Sequence, residues 1–199
     1  MSKVICGVSL SVDGFIAGVN MTEQKPLGEV PDGVLGRWMF EEPEKHEAEL
    51  RAIRATAGAY IMGRNMYGPA GLAYDETWKG WWGENPPYHA PVFVLTHRKR
   101  SPVPMEGGTT FYFVTEGIDA ALAQAREAAS EKPVAIAGGA NVINQYLAAG
   151  VIDELWLHIV PCTIGRGQRL FENVPRLRME PISVGGTALV SHIRYRILK

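Results

Sequence analysis

The 199-residue sequence is short of cysteine, of net charge and of long apolar runs, and each shortage removes a class of protein. Cys6 and Cys162 each sit in an apolar run that reads as a buried strand, where a free thiol behaves as a small hydrophobe, and two are too few for a disulfide framework. The 20 basic and 21 acidic side chains leave a formal charge of −1. No broad field therefore exists to draw in a phosphate backbone or an anionic membrane, and nucleic acid is not expected as a partner. No uninterrupted apolar stretch approaches the roughly 20 residues needed to span a bilayer, so no membrane segment is expected. The first ten residues read as strand, without a basic n-region or a small-residue cleavage site, and the expected compartment is the cytoplasm. His46, His89, His158 and His192 have no metal-ligand spacing and no cysteine partner, so no metal site is expected. His158, inside an apolar strand, reads as a hydrogen-bonded core histidine. Ser9 and Ser11 lack the strand-turn-helix elbow of a hydrolase nucleophile, which disfavours acyl transfer.

What is present is enough apolar material, 46% of residues, to bury a full core within one domain covering residues 1–199. Lys3 to Leu10 reads as a central strand covered on both faces. Asp13 to Gly36, with five glycines and two prolines, is a long irregular connection of the kind compact domains keep for function, and reads as an active-site flap. Glu41 to Ala57 is expected to be a helix with Pro43 in its first turn and Gly58 at its stop. Ala59 to Met62 is a strand running into Gly63, with a helix starting near Asn65. The stretch from Gly68 to Pro91, rich in tryptophan, glycine and proline, is expected to be loop. Strands follow at Val92 to Thr96 and Thr110 to Thr115, a helix at Ile118 to Ser130, a strand at Lys132 to Ala137 and a helix at Asn141 to Ala149. Two strands, Glu154 to Cys162 and Thr187 to Ile197, close the chain around a loop from Gly165 to Pro181. Strands alternating with helices and then two successive strands predict an α/β fold, a mostly parallel sheet with an antiparallel C-terminal edge.

Two strand ends deliver glycines straight into helix starts: IMGRNMY (Ile61 to Tyr67) and IAGGANVINQYL (Ile136 to Leu147). Glycine lets a backbone approach a phosphate, and the free amides of a helix N-terminus favour negative charge. In the second segment neither the Rossmann spacing nor a P-loop lysine is present, so a turn that merely packs helix on sheet is the competing reading. Arg64, beside a glycine at a strand end, suits bidentate contact with a pyrophosphate, and the run Thr96, His97, Arg98, Lys99, Arg100 puts a hydroxyl beside several cations, as a ribose 2′-phosphate requires. Solvated surface charge is the alternative for both. Trp38, Phe40, Tyr67, Trp81 and Trp82 are candidates to stack on a planar heterocycle, Trp38, Phe40 and Tyr67 above the others because they flank the flap and the first glycine turn. Asp13, before Gly14, either contacts substrate or caps the turn, and the turn is the favoured role.

Four segments in order, SLSVDGFIA (Ser9 to Ala17), IMGRNMY, VLTHRKR and IAGGANVINQYL, resemble the dihydrofolate reductase superfamily. DELWLHIVPCTIGRGQRLFE (Asp153 to Glu172) is similar to the riboflavin-biosynthesis reductase branch and its bacterial relatives. The resemblance implies a dihydrofolate reductase-like three-layer α/β/α fold around a twisted eight-stranded sheet, with NADPH across the strand C-termini. By the same resemblance Ser9, Ile16 and Ala17 lie near the nicotinamide; Gly63, Arg64, Asn65 and Met66 hold pyrophosphate and ribose; Thr96, His97 and Arg98 meet the 2′-phosphate; Gly138, Gly139, Ala140, Asn141 and Val142 complete the cradle. Met66 departs from a family position that is often threonine, which removes a hydroxyl contact. Counting back from IMGR puts Glu47 where folate-reducing members carry their pterin-binding carboxylate, against the reading of an ordinary exposed helix glutamate.

The activity so implied is NADPH-dependent hydride transfer to a C=N or C=O bond of a small heterocyclic or related substrate. Rival readings are dihydrofolate reduction, reduction of a ribosylamino-pyrimidine, for whose sugar phosphate Arg166 and Arg169 are the available cations, and a non-catalytic nucleotide-binding protein. The resemblance also implies a homodimer.

Overall fold

The computed structural model describes residues 2–55, 57–68 and 77–199. Its centre is β1 (Val4–Ser11), whose residues alternate between two apolar surroundings: Val4, Cys6 and Leu10 face one core cluster and Ile5 the other. A strand buried on both faces belongs mid-sheet, and β1 pairs in parallel with β7 (Val134–Gly138) on one side and β8 (Glu154–Val160) on the other. Beyond β7 come β3 (Ala59–Gly63), β4 (Pro91–Leu95) and β6 (Thr110–Val114), all parallel, then the two-residue β5 (Val103–Pro104), antiparallel. Beyond β8 lie β11 (Val190–Leu198) and β10 (Arg178–Thr187), both antiparallel. This nine-stranded sheet is joined by a small two-stranded one made of β2 (Phe15–Ala17) and β9 (Gln168–Arg169).

Helices cover both faces, which makes the expected three layers of a dihydrofolate reductase-like fold. On one side lie α4 (Ile118–Ala129) and α5 (Ala140–Ala148). The α4 stripe of Ala121, Leu122, Ala125 and Ala129, at helical spacing, packs into the same cluster as Ile143, Tyr146 and Leu147 of α5. On the other side are α1 (Arg37–Glu41), α2 (Glu47–Ala55) and the single turn α3 (Arg64–Tyr67). Among the described residues no helix is long and apolar enough to cross a membrane. Cys6 is fully buried, and burial pushes its thiol up to about 12, so it is inert filling as its apolar run predicts.

The main sheet has nine strands where eight were expected, the two-residue β5 extending its edge, and three further expectations need correction. The helix expected over Glu41 to Ala57 is α1, a 3-10 turn (Pro43–His46) and α2 in succession, because Glu42 leaves helical geometry (φ −134°, ψ 48°) and Pro43 cannot donate the amide that would join the pieces. The strand expected at Thr187 to Ile197 starts at Val190, across a tight turn from Thr187. The loop expected from Gly165 to Pro181 contains β9 and the start of β10; an edge strand exposed almost throughout lacks the apolar alternation that marks a half-buried one. The antiparallel character extends to the far edge too, through β5.

Candidate active site

The two glycine turns meet at the C-terminal edge of the parallel strands, where open α/β sheets bind ligands. β3 and β7 are neighbours whose register skips one residue, Ile61 pairing Ile136 and Met62 pairing Gly138. The skip is absorbed at Gly138, with φ +140°, a conformation few other residues adopt. A Cβ on Gly138 would stand 2.9 Å from Met66 Sδ, and one on Gly63 2.9 Å from Val142 Cγ2, so each turn is seated against the helix that follows the other. Gly139 is different. Its Cβ would meet nothing within 4 Å. It is the N-cap of α5 and supplies no side chain to cap the first amides of that helix. The result is a notch open to solvent at the positive end of a nine-residue helix, with bare backbone as its floor.

The predicted cations follow the ends of the neighbouring strands β3 and β4. Arg64 begins α3 and reaches Asn65 Oδ1 at 3.4 Å. Past β4, the Arg98 amide donates to Thr96 Oγ1 at 3.2 Å, a local turn that leaves His97 and Arg98 exposed. Arg100 takes no part in that exposed turn: it donates to Tyr67 OH at 3.1 Å and lies 5.1 Å over the Phe113 ring. Ile16 and Ala17 lie on β2, braced by β9.

The second half of the site was invisible in sequence. Ser9, His158 and His192 are successive cross-strand partners on β1, β8 and β11, so their side chains form a row on one face. His46, from the 3-10 turn, completes the row. His158 Nδ1 lies 2.7 Å from His192 Nδ1, His192 Nε2 lies 2.8 Å from His46 Nδ1, and His46 Nε2 lies 3.4 Å from Thr187 Oγ1. The three rings are linked end to end, not gathered around a common point, and all three are buried. Trp38 lies across them, its ring 4.8 to 5.3 Å from each imidazole, and its Nε1 donates to Ser9 Oγ at 3.1 Å. The sequence reading of His158 as a hydrogen-bonded core histidine agrees with this; its partner His192 lies 34 residues away along the chain, and His46 lies 146 residues from His192, beyond any spacing rule.

Burial, reinforced by the neighbouring His192, Arg194 and His46, drives the His158 pKa from 6.5 down to about 3, and burial lowers that of His192 as well. The unfolded chain therefore binds protons that the folded one refuses between pH 6.5 and about 3. Stability should be full above pH 6.5 and fall as the pH drops, by up to about 1.4 kcal/mol per pH unit for each such histidine and by about 2 kcal/mol at pH 5 for His158 alone. Urea melts at pH 7.5, 6 and 5 should show this slope, and His158→Gln should flatten it; a flat wild-type profile above pH 5 would contradict a buried neutral chain.

Other proposed site residues lie elsewhere. Glu47 is exposed and paired with Arg51 one turn along α2, so it is the ordinary helix glutamate. Phe40 is 78% exposed, because the break at Glu42 leaves it on the outer side of α1. Tyr67 is buried against Phe111 and Phe113, its hydroxyl donating to the Trp78 carbonyl at 2.9 Å; it is core. Asp13 accepts the amides of Ile164 and Gly165 and the Ser11 hydroxyl, the last of which chiefly holds its carboxyl below the usual range. It staples the flap to the loop after β8. Arg166 pairs with Glu29 and Arg169 lies 4.4 Å over the Phe15 ring, both already engaged.

Residues 2–190 match the family profile described as the RibD C-terminal domain. Among curated proteins no match is found. Over its whole length the chain resembles the structure of a candidate riboflavin biosynthesis protein from Shewanella sp. PV-4, with a TM-score of 0.68, 22% identity and 100% of that chain covered. It also resembles RibD from Acinetobacter baumannii at 18% identity and a TM-score of 0.63, spanning 58% of that longer chain. Dihydrofolate reductase from Enterococcus faecalis, complexed with NADP(H) and RAB-propyl, is similar at 16% identity and a TM-score of 0.53, with 99% of this chain and 97% of that one covered.

Proposed function

The chain belongs to the RibD C-terminal domain family, and from that premise we propose that it is an NADPH-dependent reductase acting on a C=N or C=O bond of a small heterocyclic or related substrate. The observation that carries the proposal is the notch at Gly139: bare backbone facing open space, uncapped amides of α5 behind it, and the Gly63 turn pressed against Val142 beside it. A pyrophosphate fits such a place, being anionic and needing close approach to amides. Gly63, Arg64, Asn65 and Met66 on one side and Gly138 to Val142 on the other would hold it. Thr96, His97 and Arg98 would take the 2′-phosphate, while Ser9, Ile16 and Ala17 would line the nicotinamide pocket. When bound, the nicotinamide supplies hydride; the protein's part is to orient substrate and to keep water away.

Of the three candidate aromatic residues Trp38 is the one bonded to a residue of the proposed nicotinamide pocket, Ser9, and it is itself fully buried. The dihydrofolate reading loses its carboxylate with Glu47 on the surface. Fluorescence titration should find NADPH bound more tightly than NADH, and Arg98→Ala should cut NADPH affinity by about tenfold, the loss of one charge-assisted contact of about 1.5 kcal/mol, with NADH unaffected. Equal affinities in the wild type would remove the 2′-phosphate site. NADPH oxidation screened over pterins, ribosylamino-pyrimidines, imines and carbonyls then identifies the acceptor.

A further inference from the structure

The nitrogens of the histidine row are all engaged except at one end. His158 Nε2 is buried without a hydrogen-bond partner, the only histidine nitrogen in that condition among the described residues. Leaving such an atom unsatisfied costs about 1–3 kcal/mol, a cost that a group arriving with substrate would remove. His158 is the direct cross-strand neighbour of Ser9, and Trp38, bonded to Ser9, lies 4.9 Å from its ring.

The far end of the row opens outward. Thr187 is half-buried and sits beside Glu42, whose carboxyl is held below its usual range chiefly by the bond from the exposed Lys45 at 2.6 Å and also by the Thr187 hydroxyl. The charged groups facing the row, Arg194 on β11 and Glu49 on α2, pair with each other at 3.5 Å. Arg194 and burial together disfavour a cation on His158 or His192, so protons can move along the row only as concerted shifts between neutral tautomers.

We propose that His158 donates the proton that completes reduction of the substrate, and that His192, His46 and Thr187 form the relay that resupplies it. The inference rests on the reductase reading. As the acceptor C=N or C=O bond is reduced by the cofactor's hydride, its π electron pair moves onto nitrogen or oxygen and takes the proton from His158 Nε2. His158 Nδ1 receives the proton of His192 Nδ1, His192 Nε2 that of His46 Nδ1, and His46 Nε2 that of Thr187 Oγ1, which takes one from solvent beside Glu42. When product leaves, water in the opened site returns a proton to His158 Nε2 and the same hops run in reverse.

The row has just two self-consistent polarities, and this makes it testable without turnover. With ¹⁵N-labelled histidine, wild-type protein at pH 7 should show neutral imidazoles at His158 and His192. His46→Gln, two rings away, should change the tautomer balance of His158, and saturation with NADPH should shift the His158 Nε2 resonance. In turnover of any compound that the NADPH screen finds reduced, His158→Gln should lower kcat at least 100-fold, within the range for loss of a general acid, with NADPH affinity held within twofold. His46→Gln should abolish a multi-proton solvent isotope effect while leaving KM unchanged. An imidazolium at His158 or His192 at pH 7, a His158 tautomer indifferent to His46, or NADPH binding with no response at His158 would each overturn the relay while the reductase reading stands. Failure of NADPH to bind at all would instead remove that reading, and the relay with it.

Discussion

Gly139→Asp should destroy NADPH binding and leave the protein as stable as before, or more so. Aspartate is among the best N-cap residues, position 139 already has extended geometry (φ −62°, ψ −177°), and a Cβ there would touch nothing within 4 Å. Its carboxylate would cap the first amides of α5 and sit at the positive end of the helix, a gain of about 0.5 kcal/mol. The same carboxylate would occupy the place assigned to the pyrophosphate and repel it, so affinity should fall by roughly 100-fold, about 3 kcal/mol. Thermal melting and fluorescence titration on one sample read both quantities. Two changes of opposite sign are hard to obtain from a turn that merely packs helix on sheet; a variant that gains stability and still binds NADPH as the wild type does would dismiss the notch as the cofactor site.

Trp38→Ala should cost about 3–5 kcal/mol of stability, the range for emptying a large buried aromatic site. Trp38 is fully buried, and its removal would strip the cover from three imidazoles and leave the Ser9 hydroxyl without its donor. Water reaching the rings would let His158 titrate closer to an ordinary histidine, so the acid sensitivity of the variant should shrink although its stability at neutral pH is lower. Urea titrations across pH measure both. Trp38→Phe should lose much less, because most of the apolar contact survives and only the bond to Ser9 goes. If the alanine variant keeps the steep wild-type pH profile, the depressed pKa of His158 does not come from this packing.

The features that sequence reading reached are those with a local signature. Glycine at a strand end and an alanine-rich amphipathic run write themselves within a few residues, which is why β3, β4, β6, β7, α4 and α5 fall within about two residues of expectation. The two glycine turns at Gly63 and at Gly138 to Val142 were legible for the same reason, and the ordered segments are what suggest the ligand proposed for them. Pro43 was read as a helix start, correctly in kind, but Glu42 in the turn before it splits the segment, and that split turns Phe40 outward and Trp38 inward. The histidine row had no signature at all. His46, His158 and His192 meet only because β8 and β11 are neighbours and a 3-10 turn folds over them, a juxtaposition that belongs to the topology.

The place of β1 has a consequence for how the protein is made. Its partners are β7 and β8, so β1 finds no neighbour until the chain has been extended through Gly138, and none on its other side until Val160. At about 5–20 residues per second, the apolar segment VICGVSLS waits on the order of ten seconds on the nascent chain. Such non-local pairing also slows refolding, because loop closure must precede the contacts that reward it. The interval in which this strand is vulnerable to aggregation, or is held by a chaperone, therefore closes in two steps, on one edge with β7 and on the other with β8.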